Sequence, residues 1–267
     1  MTAAVATARV VRQAIACGAR DHFELWTVKS WVFGWLVRVF SQVTFFALIG
    51  RMLESPAQTE FLLIGNAVVV AGSSAVFAIN NTTAERAYGT LTLLVASPSP
   101  PAVVFTSRGL YVAADGVLTA LLALAVVGPL FDLSYPFPRA LLVIPLTALI
   151  GLAAYAFSTF LAGLILRKRE ANGLVVNATI VSLMALCGVN VPIQFFPAPL
   201  EWLAHCLPVT HGLIAIRATL AGGDAAAILG NAGLELAVGA AWLTIALTTF
   251  GRFIGHGRRD GSLDFAS

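Results

Sequence analysis

The sequence predicts an all-α polytopic membrane protein with six transmembrane helices, and three observations lead there. The chain is 58% hydrophobic and only 11% charged, with a mean hydropathy of +0.87, well outside the composition of ordinary soluble domains. Residues 61–80, 140–166 and 171–200 contain no Asp, Glu, Lys or Arg, and about 20 apolar residues suffice to cross a hydrocarbon core roughly 30 Å thick. These runs do not alternate in polarity, as the shorter strands of a membrane β-barrel do.

Three further apolar runs each hold one charge: 31–50 with Arg38, 109–131 with Asp115, and 225–251 with Glu235. The six spans are expected near 30–51, 61–81, 105–131, 139–166, 173–195 and 229–254. They form one membrane domain over 1–267, without the internal self-similarity of a repeat architecture. Residues 3–26 precede the first span and read as an amphipathic helix lying on the cytoplasmic face. Asp21 and Glu24 and the lack of an apolar centre argue against a cleavable leader there.

Basic residues set the orientation. With both termini cytoplasmic, twelve of the sixteen Lys and Arg face inward, among them Lys29, Arg86, Arg108 and the run Arg167-Lys168-Arg169. Arg51, Arg139 and Arg217 fall on the other side. This is the pattern of a multi-pass protein of the inner cell membrane. The net charge of +3 then reflects topology and attraction to anionic lipids, and gives no footprint for a nucleic acid.

Two segments interrupt the apolar pattern. After the second span, Asn80-Asn81-Thr82-Thr83 can cap a short cytoplasmic helix starting near Ala84. Ser97-Pro98-Ser99-Pro100-Pro101 stops it, because proline lacks a backbone donor and disfavours helix in the residue before it. The second segment follows the fifth span, where Pro192, Pro197, Pro199 and Pro208 break an apolar stretch. Two short helices re-entering the outer leaflet are expected between the fifth and sixth spans, tolerable where protein covers the freed backbone groups.

Both segments carry motifs. The first reads Glu85-Arg86-x-x-Gly89-Thr90-Leu91. The second reads Gly188 to Pro192, then Pro197-x-x-Leu200-x-Trp202-Leu203, then Pro208-x-Thr210 and the following Arg217. With six spans, they give nearly the whole chain a pattern that resembles the type-2 ABC transporter permeases, the membrane halves of many bacterial exporters. The resemblance implies that Glu85, Arg86, Gly89, Thr90 and Leu91 belong to a coupling helix seated in a separate ABC ATPase subunit. It further implies a second permease copy, identical or related, with the path between the two. The cargo implied is an amphiphilic drug, natural product or lipid-like molecule moving outward.

The chain has no site of its own for the energy source. A phosphate-binding loop needs G-x-x-x-x-G-K-[ST], yet of the two lysines Lys29 follows Val28 and Lys168 lies between arginines. ATP and Mg would therefore be bound by the partner ATPase, and this chain is expected to be a transporter subunit, with no cofactor and no enzyme activity of its own. His22, His205, His211 and His256 do not form a metal set; His205 and His211 are six apart, off the spacing that aligns ligands on a helix. No G-x-S-x-G nucleophile motif occurs. Cys17, Cys187 and Cys206 fall in three different environments and imply no disulfide framework.

Arg38, Asp115 and Glu235 remain as charges within spans, where ionisable groups are expensive and often functional. One reading is structural: Arg38 meets Asp115 or Glu235 across helices, and Arg108 and Asp115 share a helix face. The other is a relay, which would make the chain a proton-coupled secondary transporter using Asp115 and Glu235. Among the aromatics, Trp31, Trp35, Phe195, Phe196 and Trp202 mark interfaces. Phe45, Phe46, Phe77 and Phe157 are candidates either for packing or for lining a passage.

Overall fold

The computed structural model describes residues 3–25, 27–80, 101–165 and 169–259. They form α-helices with no strand among the described residues. The helices are α1 (Ala3–Leu25), α2 (Val28–Met52), α3 (Pro56–Asn80), α4 (Pro101–Arg108), α5 (Leu110–Leu130), α6 (Phe137–Ile165), α7 (Asn172–Leu186), α8 (Ala198–Cys206), α9 (Thr210–Ala221) and α10 (Ala225–Arg259). Five stretches are long and apolar enough to cross a membrane, and the bent pair α8–α9 makes a sixth if it counts as one span.

The centre of the fold is α3. It starts cleanly: Ser55 accepts a hydrogen bond from the Gln58 amide at 3.3 Å, and Pro56 occupies the first turn, where its missing donor costs nothing. Beyond that turn Leu62–Val70 is buried without interruption, since α2, α5 and α6 all pack on α3. Gly65, Ala67, Ala71, Gly72, Ser74 and Ala75 are buried along it. Small side chains let neighbouring backbones approach closely, the main source of helix association where lipid removes the hydrophobic driving force. On the far flank α6 packs on α10 and α9.

The first span is not a uniform α-helix. Trp31–Leu36 winds as a π-helix before α-helical geometry resumes at Val37. Its indoles reach α5 in register: Trp31 Nε1 donates to Asp115 Oδ1 at 2.8 Å, and Trp35 Nε1 to Thr119 Oγ1 at 3.3 Å. Both partners are one turn apart on their helices, so a single face of α2 zips onto a single face of α5.

The expected fifth span, 173–195, is shorter than its apolar run. The helix stops at Leu186 after 15 residues, about 22 Å of rise, less than a roughly 30 Å core demands. Gly188 follows at φ +73°, a left-handed conformation that ends helices and that glycine adopts without steric cost. The chain then runs irregularly through Pro192 and a short 3₁₀ turn, Ile193–Phe195. Apolar composition alone did not reveal this stop. The pair of short helices expected next is present: α8 and α9 meet at 86°.

At the end of α3 away from Asn80, the loop between α5 and α6 is fixed to the start of that helix. Tyr135 Oη donates to Glu60 Oε1 at 3.2 Å. Burial, and secondarily the Glu60 charge, push the Tyr135 phenol above its ordinary range.

Candidate functional site

Proline at 208 has no backbone donor, and the next residue, Val209, sits at φ +87°, a strained conformation for a β-branched side chain. A new helix begins immediately, so its first amides face inward without partners of their own. Glu235 on α10 supplies them. Its Oε1 accepts from the Val209 amide at 2.8 Å and its Oε2 from the Gly212 amide at 2.9 Å. The side chain is fully buried. A carboxylate at a helix N-terminus meets both the unpaired amides and the positive end of the helix dipole. Thr210 Oγ1 donates back to the Ala204 carbonyl at 2.6 Å, and Trp242 Nε1 to the Cys206 carbonyl at 2.9 Å. The break is thus closed from both sides, with α10 as its brace.

Arg217, assigned by topology to an external segment, lies in α9 with its guanidinium turned into the protein. Nη1 donates to the Gly188 carbonyl at 2.7 Å, and Nη2 to the carbonyls of Phe61 at 2.9 Å and Val189 at 3.2 Å. The cation also stands 3.5 Å from the Phe61 ring centroid. One planar fork therefore ties α9, the irregular turn after α7 and the start of α3. Asn66 Nδ2 reinforces the junction, donating to Asn190 Oδ1 at 2.8 Å and to the Leu62 carbonyl at 3.0 Å. Neither asparagine was singled out from the sequence. The available signal was that each is a strong amide in an otherwise apolar run.

The bend also brings His205 and His211 together, stacked with centroids 5.0 Å apart, although their spacing in sequence keeps them off one helical face. No three His, Cys, Asp or Glu side chains gather as a metal site among the described residues.

The three charges within spans do not converge. Arg38 reaches neither Asp115 nor Glu235; it is exposed on the surface of the single chain, with its guanidinium carbon 5.1 Å from the Trp35 ring centroid. Asp115 takes the Trp31 indole, and Glu235 the two amides. Arg108 forms an ion pair with Asp21 of α1, a contact between helices. Gly109 lies at the junction of α4 and α5. Asp115 and Glu235 take different donors, an indole for the first and two backbone amides for the second.

The motif residues after α7 mark structural transitions. Pro192 precedes the 3₁₀ turn, Pro197 precedes α8, and Pro208 lies in the α8–α9 break. Trp202 is 71% exposed. Of the four passage candidates, Phe77 packs edge-on against Trp35 and Phe157 against Trp242 at 4.7 Å. Phe45 is exposed and meets Phe46 edge-on.

Glu85, Arg86, Gly89, Thr90 and Leu91 lie outside the described residues. The helices on either side of them are anchored. Asn80 Oδ1 accepts from Asn172 Nδ2 of α7 at 2.8 Å, and α4 packs on α1 with Asp21 paired to Arg108.

These contacts hold helices and turns in register. A family model described as ABC-2 type transporter matches residues 12–221, which takes in α2 through α9 with Arg217 and leaves the brace residue Glu235 outside. No curated protein matches the sequence.

Proposed function

The chain belongs to the ABC-2 type transporter family, as a multi-pass permease subunit, and from that premise we propose that it forms the translocation path of an ATP-driven exporter for an amphiphilic drug, natural product or lipid-like cargo. A separate ABC ATPase subunit docks on the coupling segment, with Glu85 and Arg86 fixing register by charge and Gly89, Thr90 and Leu91 seated in its groove. That ATPase binds ATP and Mg. A second permease copy, identical or related, completes the path, and the complex sits in the inner membrane with both termini cytoplasmic.

The observation that carries this reading is the family match, which runs through the segment between Asn80 and Pro101. The anchoring of that segment's flanks supports it: α3 is held to α7 through Asn80, and α4 to α1 through Arg108. A segment fixed at both ends to membrane helices passes displacement to them as a rigid-body movement. The uncovered faces of α2 and α10 leave room for a second copy.

Gentle purification from the native membrane tests the proposal. A stoichiometric partner carrying a phosphate-binding loop, with ATPase activity in the eluate, is expected. Glu85→Ala should lower its recovery while the permease still inserts. A chain recovered alone, from membranes that preserve other known complexes, would overturn the assignment and favour proton coupling through Asp115 and Glu235.

A further inference from the structure

Arg38 is a charge inside a candidate membrane span: it lies in α2, within the span Val28–Met52 and one turn past Trp35, and ionisable groups within spans are costly and often functional. No carboxylate among the described residues pairs with it, and its side chain is exposed on the single chain. Ser41 is exposed beside it and Gln42 is half-buried, both on the same side of the helix. Around the position a Cβ would take on Gly34, one turn earlier, nothing lies within 4 Å. A polar stripe thus faces outward from the chain within the span, where lipid solvates it poorly.

The cation is also held in place. Its guanidinium carbon stands 5.1 Å from the Trp35 ring centroid, within cation–π range. Trp35 is itself fixed, donating to Thr119 at 3.3 Å and packing edge-on against Phe77 at 5.9 Å. The π-helical turn Trp31–Leu36 ends two residues before Arg38. Such wide turns are rare and recur at functional sites, because they rotate the residues that follow. The indole lies to one side of the guanidinium, and the forked N–H groups are those that suit a planar anion.

We propose that Arg38, supported by Trp35 with Ser41 and Gln42 beside it, is the anchor for the anionic headgroup of the cargo, a phosphate or carboxylate on an amphiphile. This deepens the permease reading and rests on it for the word cargo; the binding itself is a property of the chain alone.

The test uses the purified full chain in a neutral maltoside detergent, without any ATPase, and measures binding of dodecyl phosphate, dodecanoate and dodecanol by native mass spectrometry. The wild type is expected to bind one or both anions at least about tenfold more tightly than the alcohol, the scale of one charge-assisted contact. Arg38→Gln should erase that preference and Arg38→Lys should keep part of it, with dodecanol binding unchanged in both. Trp35→Phe should retain a weakened preference, which covers the case in which Arg38→Gln does not fold. A preference for phosphate over carboxylate would assign phosphorylated cargo, and equal binding would assign anionic amphiphiles at large. Anion preference intact in Arg38→Gln, or no preference in the wild type, overturns the proposal. So does a loss of paired copies in Arg38→Gln with anion binding unchanged, which would make Arg38 a contact between subunits. Failure to recover an ATPase would sink the permease reading and leave these binding results standing.

Discussion

The carboxylate of Glu235, in the first third of α10, closes the N-terminus of α9 by accepting the Gly212 amide at 2.9 Å. The partner residues are 23 apart in sequence, and the contact joins the broken pair to a helix that the chain otherwise leaves largely uncovered. Replacing Glu235 with Ala strands two buried amides, at Val209 and Gly212. Removing one partner of a buried hydrogen bond costs about 1–3 kcal/mol, so Glu235→Ala should lower stability by about 3 kcal/mol or more. Glu235→Gln keeps one carbonyl acceptor and should lose markedly less. Reversible unfolding in mixed detergent reads the difference; equal stability of Glu235→Ala and the wild type would refute the bracing role.

The approach of α9 to α6 sets a second expectation. A Cβ built on Gly212 would lie 2.2 Å from Ile150 Cγ1, closer than any relaxed contact, and Ile150 is fully buried. Gly212→Ala should therefore destabilise by about 1–3 kcal/mol through overpacking. Ile150→Ala on its own leaves a cavity and should cost about 2–5 kcal/mol. The double variant should be more stable than the sum of the two single changes predicts, because truncation to alanine removes the Cγ1 and Cδ1 atoms that the new Cβ would meet. Simple additivity in a thermal melt would show that the helices do not meet as described.

Tyr135 gives a pH-dependent prediction. Burial favours its neutral phenol, and Glu60 beside it opposes ionisation. A group whose folded pKa lies above its unfolded value of 10.0 contributes stability below that pH and loses it as the pH climbs beyond. The wild type should lose melting temperature between pH 9 and 11 more steeply than Tyr135→Phe. Parallel declines would mean that the phenol ionises as freely in the fold as in solution.

Much of this architecture was legible because a bilayer imposes a simple length and polarity rule on each span. The central spans obey it, and the prolines at 192, 197 and 208 announced the irregular stretch that ends in the α8–α9 bend. The stop of α7 at Leu186 was not legible, since Cys187-Gly188-Val189 is as apolar as the helix before it; the left-handed Gly188 is a backbone property that hydropathy does not record. The partners of the charged residues were hidden for a related reason. Pairing Arg38 with Asp115 or Glu235 follows from counting charges, whereas the fold gives the acids indole and amide donors, which carry no charge to count. The partners of Arg217 were hidden likewise, because sorting cations by side says nothing of the three carbonyls that claim its guanidinium.

The ion pair of Asp21 with Arg108 concerns motion more than stability. The two side chains are 52% and 28% exposed, and exposed pairs contribute only about 0–1 kcal/mol. Their position matters because Arg108 ends α4, the helix that emerges from the 81–100 segment, and Asp21 lies on α1, which leads into the first span. If displacement of that segment reaches α1 through this contact, reversing either charge should reduce permease-coupled ATP hydrolysis by about fivefold or more, the lower end of a typical coupling free energy. Thermal stability should hardly change. Asp21→Arg combined with Arg108→Asp restores attraction with the signs exchanged and should recover most of the coupled rate, which a purely local packing effect would not do. Hydrolysis measured in the purified permease–ATPase complex separates the cases: unchanged rates in both single variants would remove α1 from the path, and single losses without recovery in the double variant would assign the effect to packing of α1 on α4.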